Sequence, residues 1–316
     1  MKIVLLASSG RSGSTILERI MGQIEDIFPL GEVNHIWKRS FIENQLCGCG
    51  KPFKECDFWK EVVKKFIIDE KYDPQYIFKL QRSVGRIRHL PILLFPKLRS
   101  YKYKKLLYKY MKVLEKFYKI VDELSNHKIL IDSSKLPTHA FILYEMGFDI
   151  YLIHLVRDSR AVAYSWQRKK KRPEIYWRSG YMSRYNIIKS VQDWTLKNCL
   201  FEYLKKKIKH HKTVSYEIFS KFPKSTVIEL IKWLPINFSK DKINFFKNEK
   251  VIYLKKINHT VSGNPVRFKQ GEIEIRPDIE WMRKMSLFKK SIVSGLTYPF
   301  LVYYKYKFKK FHKVVR

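Results

Sequence analysis

The run Ser8-Ser9-Gly10-Arg11-Ser12-Gly13-Ser14-Thr15 is built from small and hydroxylic residues around one arginine. It follows the apolar stretch Ile3-Val4-Leu5-Leu6-Ala7, which reads as a buried parallel strand, and precedes Ile16-Leu17-Glu18-Arg19-Ile20-Met21, which has a helical pattern. A strand that turns through glycines into a helix points several backbone N–H groups at one spot. Such a nest, reinforced by the helix dipole, binds phosphate-like anions. Gly10 and Gly13 permit the turn and a close approach, Ser12, Ser14 and Thr15 add hydroxyl donors, and Arg11 supplies a fixed charge. An ordinary strand–turn–helix with a serine N-cap is the competing reading. The combination of glycine, hydroxyl and guanidinium favours the anion site.

The common nucleoside-triphosphate loop carries a lysine directly before the hydroxyl residue that holds magnesium. Here Gly13 is followed by Ser14, and the only nearby cation, Arg11, precedes the second glycine. The loop therefore suits an anion without a metal-linked lysine. Glu32 closes the extended segment from Asp26; if that strand runs parallel to the first, its carboxylate emerges near the loop and can take a proton from an attacking hydroxyl. On residue chemistry alone a surface glutamate or helix cap fits equally well. The apolar run Ile129-Leu130-Ile131 ends in Asp132, the pattern of a magnesium-holding strand in a kinase, although the missing loop lysine weakens that reading. Lys135 stands near a helix start, where a cation is slightly unfavourable, and this points to a purpose. Arg157 follows the apolar strand Asp149–Val156, where its planar fork can grip a phosphate, and Asp158 is the natural cap of the next helix.

These blocks resemble the sulfotransferases that use 3′-phosphoadenosine 5′-phosphosulfate (PAPS). Ser9–Thr15 is similar to their 5′-phosphosulfate loop. Ile153-His154-Leu155-Val156-Arg157-Asp158-Ser159-Arg160-Ala161-Val162-Ala163-Tyr164-Ser165 is similar to their 3′-phosphate segment, with a serine eight residues after the arginine. The flavour is that of the Golgi and tyrosylprotein-type branch and its bacterial relatives. The resemblance implies PAPS as donor and no required metal, with Gly10–Thr15 and Arg11 on the 5′-phosphosulfate and Arg157 with Ser165 on the 3′-phosphate. It implies Glu32, in Gly31-Glu32, as catalytic base, and Lys135 as the cation on the bridging oxygen. Gly263-Asn264-Pro265-Val266-Arg267 is similar to a stretch of the bacterial relatives, which implies that this loop and Arg267 close over the nucleotide; a generic Asn-Pro turn is the alternative. His259 beside it is an alternative base or a structural histidine. Thr213-Val214-Ser215-Tyr216-Glu217 is similar to the strand plus Tyr-Glu element that follows in the family.

Positioning these residues needs an α/β fold: a P-loop-like parallel sheet flanked by helices, with a helical and Cys-rich insertion at about 45–127. Cys47, Cys49 and Cys56 have the spacing C-x-C-x6-C, which is not a standard zinc knuckle. Plain packing or a labile disulfide is preferred, with a zinc site using His35 or Cys199 as fourth ligand the alternative. Residues 57–127 read as helical throughout, residues 137–147 as a helix ending at Gly147, and about 181–207 as a long amphipathic helix. A single domain over 1–290 is expected, followed by a basic aromatic segment, 291–316.

The 316 residues include 64 Lys and Arg against 29 Asp and Glu, a formal charge of +35 that predicts attraction to polyanions. Neither a secretory leader nor a spanning apolar run is read, so the cytoplasm is the expected compartment. Ile292–Tyr304, broken by Gly295 and Pro299 and followed by Lys305, Lys307, Lys309 and Lys310, reads as a docked helix with a basic end; peripheral contact with an anionic membrane is the alternative. A small-molecule, glycan or peptide acceptor is expected, and no specific nucleic acid. The competing classes are a P-loop-like nucleotide or small-molecule kinase with Asp132 on magnesium, and a non-enzymatic basic protein.

Overall fold

In a computed structural model, residues 1–306 are described. Five parallel strands form the central sheet: β1 (Lys2–Ala7), β2 (Ile27–Gly31), β3 (Ile129–Asp132), β4 (Asp149–Val156) and β5 (His210–Ser215). Their spatial order is β2-β3-β1-β4-β5. Strand alternation assigns the two faces of β1 to two cores. Ile3, Leu5 and Ala7 join the core under the insertion; Val4 and Leu6 join the one under α1 and the helix Pro223–Trp233. Covering on both faces explains why this strand is apolar at every position.

Because the strands are parallel, the segments after β1, β2, β3, β4 and β5 emerge at one edge of the sheet. The elements beyond them are α1 (Ser14–Met21), α2 (Tyr101–Ser125) in the insertion, α3 (Pro137–Glu145), α4 (Ser159–Gln167) and α5 (Ile187–Lys205). The α/β architecture with its inserted helical layer is as expected.

Two local readings are corrected and a third, the docked C-terminal helix, is refined. The insertion is not helical throughout: residues 70–73 interrupt it before Asp73 caps a new helix at Pro74, Ser100 caps α2, and Lys64–Asp69 is wound as π-helix. The long amphipathic helix starts at Ile187 rather than near Tyr181, since Asn186 caps it through Lys189 N, and residues 181–186 stay irregular. The C-terminal segment forms two helices, Leu287–Leu296 and Tyr298–Tyr303, joined at Thr297; Val293 and Leu301 are buried, and Phe300 and Tyr304 pack on Trp194. Lys307, Lys309 and Lys310, on which the membrane reading partly rests, lie outside the described residues. Among those described, no helix is long and apolar enough to cross a membrane.

An antiparallel hairpin, β6 (Val251–Leu254) with β7 (Gly271–Glu274), was not anticipated. Ile252 and Leu254 anchor it in the core below the sheet, and the chain leaving β7 carries Ile275, Arg276 and Asp278 along the cleft.

Candidate active site

The strand edge opens onto one cavity of about 820 Å³, of the size that takes a cofactor-sized ligand. Gly10, Arg11, Gly13, Ser14, Thr15, Glu32, Lys135, Arg157 and Ser165 all line it, so residues from four separate strand ends share one space. Nine Lys and Arg side chains face the cavity against three carboxylates, a wall suited to a strongly anionic ligand.

The loop after β1 is shaped by two glycines. Gly13 has φ +85°, which side chains disfavour, and a Cβ there would lie 2.6 Å from the Tyr216 ring. At Gly10 a Cβ would lie 2.4 Å from Trp166. Gly13 is itself the N-cap of α1, and no side chain caps that helix, so the serine cap of the competing reading is not formed and the start of the helix faces the cavity. Ser12 turns inward instead: it is fully buried, its hydroxyl is 2.9 Å from Ser9 Oγ, and it shapes the loop rather than facing the cavity.

Both arginines are gripped at their edges and leave buried N–H groups over. Arg157 Nη1 donates to Arg11 O at 2.8 Å, Nη2 to Asp278 Oδ2 at 3.0 Å, and the guanidinium lies 4.4 Å from the Tyr216 ring. Trp194 Nε1 holds the Arg157 carbonyl at 2.9 Å. Arg11 packs 4.7 Å over Trp166, which stacks on Tyr185 at 4.0 Å. Arg11 Nε and Nη2 and Arg157 Nε are buried with no hydrogen-bond partner among the described residues. Orphaned guanidinium donors beside a glycine loop fit an oxyanion ligand. Burial lowers the pKa of Arg11; burial, with the neighbouring Arg11 and Arg168, brings Lys170 down to about 8.

At the other side, Lys135 Nζ donates to Glu32 Oε1 at 2.5 Å, and His35 Nε2 lies 3.6 Å from Oε2. Burial alone would raise the Glu32 pKa, but Lys135, His35 and Arg39 hold it at about 2. Burial and the charge of Arg39 push His35 down to about 3, so it is neutral near pH 7. Glu32 is fixed from both directions: its N–H donates to Val261 O at 2.8 Å, and Gly31 N donates to Glu18 Oε1 at 2.7 Å. Glu18, which also accepts from Ser133 Oγ at 2.6 Å, is buried and raised by desolvation to about 7.

Several expectations meet a different placement. Arg267 is completely buried and off the cavity wall, its guanidinium donating to Thr260 O and to Leu46 O at 2.5 and 2.8 Å; carbonyl acceptors claim it, and Lys269 faces the cavity in its stead. The neighbouring Gly263, Asn264 and Pro265 do line the cavity, and Asn264 N reaches Thr15 Oγ1 at 3.4 Å. His259 turns its Nδ1 to cysteine sulfurs, outside the cavity. Asp132 is buried under Tyr118 OH at 2.6 Å and His139 Nε2 at 2.8 Å and does not face the cavity, which takes away the carboxylate that the kinase reading assigned to magnesium. Sequence reasoning missed Trp166 and Asp278 as cavity residues; Lys170 lies in the basic run Arg168–Arg172, which reads from sequence as a solvated face or as cations steering an anionic ligand at the cofactor entrance.

Neither a family model nor a curated relative matches the chain. Among solved structures, the sulfotransferase domain of the Synechococcus PCC 7002 olefin synthase aligns over 98% of this chain and 96% of its own, at TM-score 0.50 and 16% identity. The sulfotransferase domain from the curacin biosynthetic pathway covers 93% of this chain and 96% of its own, at TM-score 0.48 and 14% identity. The fold is thus of the sulfotransferase-domain kind.

Proposed function

We propose that the protein transfers a sulfuryl group from PAPS to a hydroxyl or amine acceptor, releasing 3′-phosphoadenosine 5′-phosphate. The observation that carries this reading is the single cationic cavity in which the Gly10–Thr15 loop, Arg157 with Ser165, and the Glu32–Lys135 pair converge. Likeness of fold to sulfotransferase domains supports it further. An amide-lined loop and two guanidinium groups with spare donors match a ligand carrying anionic groups at both ends.

When bound, the donor supplies an activated sulfuryl group to a nucleophile. The chain's own part is positioning and charge compensation. Gly10–Thr15 and Arg11 bind the 5′-phosphosulfate end, and Arg157 with Ser165 binds the 3′-phosphate. Glu32 takes the proton of the attacking hydroxyl or amine at a carboxylate oxygen. Lys135, already beside that carboxylate, neutralises charge at the leaving oxygen. The kinase alternative is disfavoured by the enclosed position of Asp132.

Thermal-shift titration separates the readings: 3′-phosphoadenosine 5′-phosphate raises the melting temperature and ATP with magnesium does not. An acceptor screen with radiolabelled PAPS then reads transfer directly. No stabilisation by 3′-phosphoadenosine 5′-phosphate and no label transferred overturn the assignment.

A further inference from the structure

Cys47, Cys49, Cys56 and His259 converge on one point away from the cavity. Their ligand atoms all lie within 4.8 Å of one another, with His259 Nδ1 3.1 Å from Cys56 Sγ and 4.0 Å from Cys47 Sγ. All four cysteines of the chain are free thiols; the fourth, Cys199, is exposed on α5 and does not belong to this group. His35, the other fourth ligand considered from sequence, faces Glu32 at the cavity. The residue that completes the cluster stands 203 positions after Cys56.

We propose that Cys47, Cys49, Cys56 and His259 bind a structural zinc ion. Four ligands at zinc–sulfur and zinc–nitrogen bond lengths place neighbouring donors about 3.5–3.8 Å apart in a tetrahedron, which the observed spread accommodates with small side-chain shifts. Three thiolates and an imidazole, with no oxygen ligand, select zinc over magnesium or calcium. Binding exchanges the thiol protons for the metal, with no change of oxidation state. Four protein ligands leave no open position, so the ion is structural and takes no part in catalysis.

The surroundings are those of a built site. Cys47 and Cys56 are buried, and the His259 ring lies against Phe28 and Phe58 at 6.4 and 5.7 Å between centroids, near parallel to each. Trp59 Nε1 donates to His259 O at 2.6 Å, and Gly48 N donates to Thr260 O at 2.9 Å, so backbone contacts fix the two ligand-bearing segments against each other. Ligand orientation is thereby set before metal arrives. The ion would tie the start of the insertion to the segment 258–261, whose Val261 exchanges hydrogen bonds with Leu30 and Glu32 at 2.8 Å. This inference does not rest on the proposed activity.

The test uses full-length, untagged protein made in zinc-supplemented medium and purified without chelators. Elemental analysis should find about one zinc ion per chain, released when the thiols are titrated with a mercurial. Refolding with cobalt should give a thiolate-to-cobalt charge-transfer band together with tetrahedral d–d absorption. Cys49→Ser and His259→Ala should each weaken metal retention against a chelator at least about tenfold, whereas Cys199→Ser leaves it unchanged. Should these variants misfold, the mercurial release and the cobalt spectrum of the wild type still decide the matter. Folded wild-type protein that carries no zinc and gives no cobalt thiolate band overturns the proposal, as does a disulfide among these cysteines in the freshly purified chain.

Discussion

Lys135 Nζ lies 2.5 Å from Glu32 Oε1, joining two residues 103 positions apart across the strand edge. Lys135 adopts φ +56°, an uncommon backbone state for a lysine, where the chain leaves β3 for α3. Glu32 opposes it from the end of β2, anchored through Val261 and Glu18. The carboxylate is therefore ionised throughout the physiological range, and its pKa is set by its neighbours against the pull of burial.

That pairing fixes the direction of a pH experiment. In the wild type, the acid limb of kcat/KM due to Glu32 falls near its pKa of about 2, so the profile is flat from pH 5 to 8 as far as this group is concerned. Lys135→Met removes the largest effect holding the carboxyl down, and burial then raises it. The acid limb should move upward, with turnover reduced about a hundredfold or more. An unmoved limb in steady-state rate profiles would detach Glu32 from the reaction.

Glu32→Gln should retain 3′-phosphoadenosine 5′-phosphate binding within a few-fold, because the anion loop and Arg157 are untouched. Turnover should fall by roughly 10²–10⁴-fold, the usual contribution of a general base. Calorimetric titration and single-turnover label transfer measure the two effects separately.

Arg157→Ala and Arg267→Ala test the reassignment of the two arginines. Arg157 carries a spare donor into the cavity, so its loss should weaken nucleotide binding at least about tenfold, the effect of a lost charge-assisted hydrogen bond. Arg267 satisfies two buried carbonyls instead. Its loss should lower the melting temperature by leaving them unpaired, at a cost of about 1–3 kcal/mol each, with nucleotide affinity changed less than by Arg157→Ala.

Glu18 supplies a stability test independent of activity. Its folded-state pKa of about 7 lies above the ordinary carboxyl value, so the folded protein holds this proton more tightly than the unfolded chain. Stability from this group is greatest below about pH 4.5 and is lost as the pH rises through 7, by about 3 kcal/mol in all. Glu18→Gln can still accept from Gly31 N through its amide oxygen and cannot ionise. Its melting temperature relative to wild type should therefore rise between pH 5 and pH 8, as followed by circular dichroism.

The strands, the glycine loop and the strand-end arginine were legible because each is a local pattern. An apolar run of the right length between turn residues can hardly be anything but a buried strand, and a parallel sheet sends its strand ends to one side. Helix starts were read less well where a cap lay inside a uniform-looking segment, as at Asp73 and Asn186. The pairing of β6 with β7 was not read because only one partner carries a local signal: Val251–Leu254 is a short apolar run, whereas Gly271–Glu274 has a single apolar residue and lies well downstream.

By itself, then, the amino-acid order determined the sheet, the anion loop and the residue types available at its rim, since these follow from neighbours within a turn or a strand. Tertiary structure alone decided which of those residues meet. It paired Lys135 with Glu32 and Asp278 with Arg157, withdrew Arg267 and Asp132 from the cavity, and brought His259 to Cys47, Cys49 and Cys56. Apart from the settings of Asp132 by His139 and of Arg267 by Thr260, these outcomes join positions that are remote in the chain, and their chemistry depends on distance and burial, which no short stretch of sequence specifies.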